Sequence, residues 1–306
     1  MLALAARANG GRMASIKTAV LPVAGLGTRI LPAAKATPKN LLNVFDRPMI
    51  AHVAAEALAA GVEHLVFVVG RGQGAIEDYF DKAYELEAEL ESRGKADILA
   101  AVRADQLRPG QYSVVRQMAP LGLGHAVGCA RHIVGDAPFA VMLPDMLMDA
   151  QPGALTQAIA AYDAVGGSIV LVEPAPPGEA HKYGVVALGE VAAGFDGRLA
   201  RMTGVVEKPA PGTEPSNLFI SGRYVLQPSV FEALEAAQRG AGGEIQLTDA
   251  MAAGMAREPF HALEYIGTTY DCGDPVGLLR ANLAYALKHP TLGSAARAAV
   301  EGVLRD

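Results

Sequence analysis

Residues 18–48 read TAVLPVAGLGTRILPAAKATPKNLLNVFDRP, and this stretch decides the fold. Thr18 to Val23 is short, apolar and rich in Val and Leu, the pattern of a strand buried on both faces. Ala24-Gly25-Leu26-Gly27-Thr28-Arg29 follows. Two glycines two apart let the backbone turn tightly and lie close to a ligand, and successive N–H groups in such a loop can converge on an anion. Arg29 adds a planar fork of donors suited to phosphate. Lys35 and Lys39 bring two more cations, with Pro32 and Pro38 punctuating the loop. A cationic, glycine-bearing loop directly after a first strand is where an open α/β sheet binds its ligand. The two common phosphate motifs do not fit. There is no G-x-x-x-x-G-K-[ST], and Ile30 stands where G-x-G-x-x-G needs its third glycine.

Outward from this loop, strands and helices alternate. A helix is expected over Pro48–Ala60, with Gly61 at its C-terminal end, and a buried strand over His64–Val69. Ala75–Gly94 reads as one long charged helix with a solvated face. Tyr112–Gln117 is a third strand, and the Gln117 amide can pair with both a donor and an acceptor on a base edge. Gly122 can bring its backbone against the same base, and a helix is expected to start near Gly124, with His125 a packing residue. Phe139–Leu143 is a further buried strand, ended by Pro144-Asp145, and a carboxylate just past a strand end faces the ligand crevice. Asp149 reads as a cap of the next turn. A helix over Gly153–Val165 and a strand over Ser168–Glu173 come next.

The second half carries its own candidates. Gly184, in His181-Lys182-Tyr183-Gly184, would let backbone donors reach a sugar hydroxyl. Met202–Pro209 reads as a strand delivering Glu207 and Lys208 together, a carboxylate for hydroxyls and an ammonium for phosphate. Asn217–Leu226 would be a strand covering that pocket. Gly242–Asp249 can start a helix, and Asp271 follows a short strand. Pro275–Lys288 and Gly293–Leu304 read as closing helices.

G-x-G-T-R…P-K ahead of Asp46-Arg47-Pro48-Met49-Ile50 resembles the sugar-1-phosphate nucleotidyltransferases, and GLGHAV and GEIQLTDA resemble the bacterial UTP–glucose-1-phosphate uridylyltransferase branch. The resemblance runs from about Lys17 to Leu292. It implies a Rossmann-like, mixed, mostly parallel central sheet with flanking helices, the nucleotide-diphospho-sugar transferase type of α/β fold. It implies transfer of uridylyl from UTP to glucose 1-phosphate, giving UDP-glucose and pyrophosphate with Mg²⁺. By this resemblance Arg29, Lys39 and Lys208 are catalytic, and Ala24, Gly25, Gly27, Thr28, Gln117 and Gly122 bind the nucleotide. Gly184, Glu207 and Lys208 bind the sugar phosphate, and Asp145 and Asp271 hold the metal. Relatives assemble as homodimers or homotetramers. The loop departs from the family in having Asn40 where Glu is usual and Asn43 where Pro is usual. Two alternatives stay open: another nucleotide or sugar 1-phosphate, or a weakly active UDP-sugar-binding regulatory paralogue.

The bulk numbers agree with a large α/β domain. Of 306 residues, 51% are hydrophobic, enough for a substantial core, and the net charge of −6 argues against a non-specific nucleic-acid binder. Cys129 and Cys272 lack metal-type spacing, so neither disulfide scaffolding nor structural zinc is expected, and a cytoplasmic location follows. No run of 18 apolar residues exists, so no membrane span is expected. Residues 1–16 read as a disordered or start-site leader with Met13 as the working start, 17–290 as the nucleotidyltransferase domain, and 291–306 as a C-terminal helical extension.

Overall fold

The computed structural model describes residues 15–240 and 243–305. Residues 1–14 of the expected leader, and Gly242, lie outside them. Ile16, the last residue of that expected leader, is described and packs into the core.

The chain runs β1 (Thr18–Pro22), β2 (Asn43–Val44), β3 (Arg47–Pro48), α1 (Met49–Ala59), β4 (His64–Val69), α2 (Ala75–Phe80), α3 (Tyr84–Ser92), α4 (Ala96–Arg103), β5 (Tyr112–Arg116), α5 (Leu123–Cys129) and α6 (Arg131–Val134). It continues through β6 (Phe139–Met142), β7 (Met146–Asp149), α7 (Ala154–Val165), β8 (Ser168–Pro174), β9 (Gly184–Val191), β10 (Leu199–Glu207), β11 (Leu218–Leu226), α8 (Val230–Ala236) and α9 (Leu247–Gly254). It ends with β12 (Phe260–Glu264), β13 (Thr268–Asp271), α10 (Pro275–Lys288) and α11 (Gly293–Val303).

Among the described residues one nine-stranded sheet has the order β5-β4-β1-β6-β11-β8-β12-β10-β9. Its first strands are buried on both faces, which is why they read as continuous apolar runs. Ala19 and Leu21, Leu65 and Phe67, and Ala140 and Met142 face one core with α1 and α7. Val20, Val66 and Val68, and Phe139 and Val141 face the other, with α5, α8 and α9.

The expectation of a mostly parallel sheet is corrected. β5, β4, β1 and β6 pair in parallel, as does β8 with β12. β11 pairs antiparallel with β6 and β8, and β10 antiparallel with β9 and β12. β11 also meets β9 at Phe219 and Val185, so β11, β8, β12, β10 and β9 close into a mixed, mostly antiparallel barrel. The reason is connectivity. Parallel neighbours need long crossovers, usually helical, whereas β9 and β10 are joined by a short turn and can only pair antiparallel.

The long charged helix is also corrected, because it breaks into α2 and α3. Phe80 is buried and stacks on Phe67 with ring centroids 5.0 Å apart. Asp81 then turns extended and accepts the Lys82 N–H at 2.7 Å. A local side-chain acceptor of this kind offers the backbone an alternative to the helix. Beyond the break, Glu87 is buried and accepts from Arg103 Nε at 2.7 Å, which ties α3 to α4.

Candidate active site

The parallel half sets the cationic loop. Val23 donates to the Val68 carbonyl at 2.9 Å, which ends β1 beside β4. Ala24, Gly25, Gly27 and Thr28 form the loop that follows, and a single helical turn over Thr28–Ile30 buries Ile30 while leaving Arg29 exposed. Arg29 sits loosely, its guanidinium 3.9 Å from an Asp271 carboxylate oxygen. Lys39 starts a second short turn and donates to Asp145 Oδ2 at 2.6 Å. Lys35 is exposed and does not line the cleft described below. Asn40 is 2% exposed; its amide donates to the Val23 carbonyl at 3.2 Å, and its Oδ1 has no partner. Asn43 is exposed, and its carbonyl accepts from Asn282.

Gln117 and Gly122 touch one another. The Gln117 backbone N–H donates to Val69, its side-chain amide donates to the Gly122 carbonyl at 3.0 Å, and it lies 3.0 Å from His125 Nδ1. His125 is thus a partner of Gln117. Gly122 has φ +102°, and a Cβ there would lie 2.7 Å from the Cβ of Glu244. Only glycine fits this conformation and this approach. Leu121 accepts from Ile245 N–H, and Gly124 donates to the Ile245 carbonyl. The GLGHAV and GEIQLTDA segments, far apart in sequence, are therefore laced together. Within the Gly242–Asp249 segment, α9 begins at Leu247.

A cleft of about 440 Å³ gathers Arg29, Asp145, Gly184, Glu207, Lys208 and Asp271. The two aspartates meet by register. β7 and β13 pair antiparallel with Asp271 opposite Met146, and Cys272 N–H donates to the Asp145 carbonyl at 2.7 Å. Burial alone would raise the Asp145 pKa, but Lys39, with a smaller push from Arg29, holds it below the ordinary carboxylate value. Burial raises that of Asp271, and the neighbouring Asp145 charge adds to the rise against the bond that Asp271 Oδ1 accepts from Gly273 N–H. The two carboxylates are thus pushed in opposite directions, one favoured as the anion by its lysine and the other disfavoured as the anion by burial and its neighbour. Asp149, at the end of β7, is paired with Lys288.

The opposite wall comes from the barrel. Glu207 at the end of β10 pairs with Gly184 at the start of β9. Glu207 accepts from Thr248 Oγ1 at 3.2 Å and lies 3.4 Å from Lys208 Nζ. Lys208 adopts φ +45°, held by its N–H donating to the Tyr183 carbonyl at 3.0 Å, and its ammonium is largely exposed. Tyr183 stacks on Phe219 with centroids 4.3 Å apart. Thr248 and Tyr183 both line the cleft. Sequence reasoning quoted both inside motifs without assigning them a part. No spacing signals that a threonine at the start of one helix will reach a carboxylate at the end of a strand. Among the described residues, no group of three or more His, Cys, Asp or Glu side chains could hold a metal.

Comparison with known proteins places nearly the whole chain. Residues 18–288 match the nucleotidyl transferase family model. The chain is 40% identical over 296 residues to UTP–glucose-1-phosphate uridylyltransferase of Staphylococcus epidermidis, covering 94% of this chain and 99% of that protein. It is 42% identical to the enzyme of the same name from Bacillus subtilis, covering 95% and 98%. Among solved structures it resembles UDP-glucose pyrophosphorylase from Acinetobacter baumannii, with a TM-score of 0.86 and 41% identity over 94% of this chain and 99% of that one. A UDP-glucose pyrophosphorylase complexed with UDP-glucose gives 0.78 at 36% identity, over 90% and 100%. The chain belongs to the nucleotidyl transferase family, in its UTP–glucose-1-phosphate uridylyltransferase branch.

Proposed function

We propose that this chain transfers uridylyl from UTP to α-D-glucose 1-phosphate, giving UDP-glucose and pyrophosphate. The observation that carries the reading is the single cleft in which Arg29, Asp145 and Asp271 face Gly184, Glu207 and Lys208. One wall suits a polyphosphate with its cation, and the other a phosphorylated polyol.

The sugar phosphate oxygen is already ionised at neutral pH, so no general base is needed. The barrier is the meeting of two anions, and positioning and charge neutralisation dominate. Arg29 and Lys39 hold the triphosphate and the departing pyrophosphate, and the loop of Ala24, Gly25, Gly27 and Thr28 supplies backbone donors. Gln117 and Gly122 read the uracil. Glu207, steadied by Thr248, accepts from sugar hydroxyls beside Gly184, and Lys208 holds the phosphate that attacks. Lys39 Nζ spends one of its three donors on Asp145 and keeps the others for a phosphate.

Asp145 and Asp271 fit Mg²⁺. They are hard oxygen donors, one in the turn that leads into β7 and one at the end of the β13 strand paired with it, and the Asp271 charge is opposed by burial and by Asp145. Two carboxylates completed by substrate phosphates are the usual magnesium arrangement. When bound, the ion would neutralise phosphate charge between nucleotide and sugar phosphate. The same proposal includes one nucleotidyltransferase domain over residues 17–290 with a helical extension over 291–306. It also includes a cytoplasmic location and a homodimeric or homotetrameric assembly, all supported by the family resemblance. No helix among the described residues is long and apolar enough to cross a membrane.

The test is pyrophosphate release from UTP, glucose 1-phosphate and Mg²⁺, with other nucleotides and sugar 1-phosphates as controls. Release dependent on all three components supports the proposal. A parent protein that releases none at saturating substrate, or that prefers another pair, overturns it.

A further inference from the structure

Apart from the groups that line the cleft, one charged pair has its arginine fully buried. Arg223 on β11 is fully buried, does not reach the cleft, and pairs with Glu56 of α1 at 2.8 Å. Every donor of its guanidinium is engaged. Nε and Nη2 donate to Glu56, Nη1 donates to the Leu143 carbonyl at 3.0 Å and the Gly222 carbonyl at 3.2 Å, and Nη2 donates to the Met146 carbonyl at 2.9 Å. Leu143 and Met146 bracket Pro144-Asp145. The guanidinium thus closes the turn that carries Asp145 from beneath, gripping the backbone on both sides of it.

The sequence builds this grip locally. β11 pairs Ile220 with Val172 and Tyr224 with Val170, so residues 221–223 bulge out of register. At the bulge Gly222 has φ +84°, and a Cβ there would lie 3.1 Å from side-chain atoms of both Leu143 and Met146. Glycine at that point lets the strand pass against the turn, while Leu143 N–H donates to the Gly222 carbonyl at 2.9 Å. Glu56 is held in place as well, because its Oε1 accepts from the Leu155 N–H that opens α7. A planar five-donor fork matches three carbonyls and a carboxylate at once, a geometry that a lysine ammonium cannot reproduce.

We propose that Arg223, oriented by Glu56, is a positioning residue that fixes the Pro144-Asp145 turn and so presets the carboxylate toward the metal–nucleotide. The inference rests on the reading of Asp145 as the cation ligand given above. A core ion pair of merely structural importance would move stability alone. A positioning pair moves metal affinity and turnover in a protein that remains folded.

The test measures Mn²⁺ binding at saturating UTP by electron paramagnetic resonance, beside steady-state kinetics, for the parent and three variants. Arg223→Met with Glu56→Gln removes the charges and all three carbonyl bonds yet leaves an amide oxygen for Leu155. Arg223→Lys keeps the charge and loses the fork, and it serves if the double variant does not fold. Asp145→Asn removes the ligand itself. Loss of an outer partner of a metal ligand weakens the site by on the order of 10–100-fold. We expect a loss of that size in Mn²⁺ affinity and a fall in kcat, with KM for glucose 1-phosphate within about twofold of the parent. A folded Arg223 variant with parental Mn²⁺ affinity, where Asp145→Asn has lost it, overturns the positioning role alone. Parental affinity in Asp145→Asn overturns the reading of Asp145 beneath it.

Discussion

Lys39 and Asp145, 106 residues apart in the chain, meet in a 2.6 Å charge-assisted hydrogen bond. Both side chains are mostly buried, and the lysine holds the carboxylate below its ordinary value against the effect of burial. In the folded chain each group answers the other's charge.

This pair sets an acid limb of stability. A carboxylate whose folded pKa is depressed stabilises the fold fully above its unfolded value, near 3.8, and loses that contribution as pH falls through the lower folded value. Urea unfolding of the ligand-free protein between neutral pH and pH 3 should show a drop that flattens in Asp145→Asn. Lys39→Met strands the buried carboxylate and should cost ~1.5–3 kcal/mol at pH 7, the scale of a hydrogen bond to a charged group. An acid limb identical in parent and Asp145→Asn would mean that the pair carries no linkage.

Asp271 has the opposite sign. Burial first, and the Asp145 charge after it, raise its folded pKa, so ionised Asp271 opposes folding and that cost grows as pH rises through the folded value. Asp271→Asn keeps an oxygen for the Gly273 N–H. The variant should melt higher than the parent at neutral pH without Mg²⁺, by calorimetry, while kcat falls at least ~100-fold, the scale of a lost preorganised electrostatic group. A variant that melts lower would show that the carboxylate is compensated in the free protein.

Lys208 is more than half exposed and has Glu207 as a nearby acid, so its removal should leave folding nearly unchanged. Its loss should appear in catalysis. Lys208→Ala is expected to lower kcat/KM for glucose 1-phosphate by ~100-fold or more, at least ~2 kcal/mol of transition-state stabilisation. The Kd for UTP, from calorimetric titration, should stay close to that of the parent. Weakened UTP binding with normal use of the sugar phosphate would relocate Lys208 to the nucleotide side.

Asn40 is almost fully buried. Its amide donates to the Val23 carbonyl, and no donor faces its Oδ1. A carboxylate here would meet a carbonyl, so Asn40→Glu should cost roughly 1–3 kcal/mol at pH 8, the scale of an unsatisfied buried group. Burial would raise the new carboxyl's pKa, and its neutral form could donate to Val23. The penalty should therefore shrink as pH falls to 5, which denaturant titrations at the two pH values would register. An equal penalty at both would point to shape instead of charge.

The sequence by itself determined the groups and their local settings. The Gly25–Gly27 loop after an apolar strand, the aspartate after Leu143-Pro144 and the Glu207-Lys208 pair are legible because strand period, turn chemistry and side-chain type are local properties. The strands from Thr18, His64, Tyr112, Phe139 and Ser168, and the closing helix Pro275–Lys288, fall where apolar patterning puts them. Only the tertiary structure decided which distant groups meet. The β9–β10 pairing put Gly184 opposite Glu207, and contact of Phe219 with Val185 closed the barrel. The β7–β13 pairing brought Asp271 beside Asp145, and packing of Phe80 on Phe67 broke the long helix at Asp81. Nothing local distinguishes Arg223 within its apolar strand, because a buried guanidinium is tolerated only where a carboxylate and carbonyls from other segments answer every donor. That compensation exists in space and has no period in sequence.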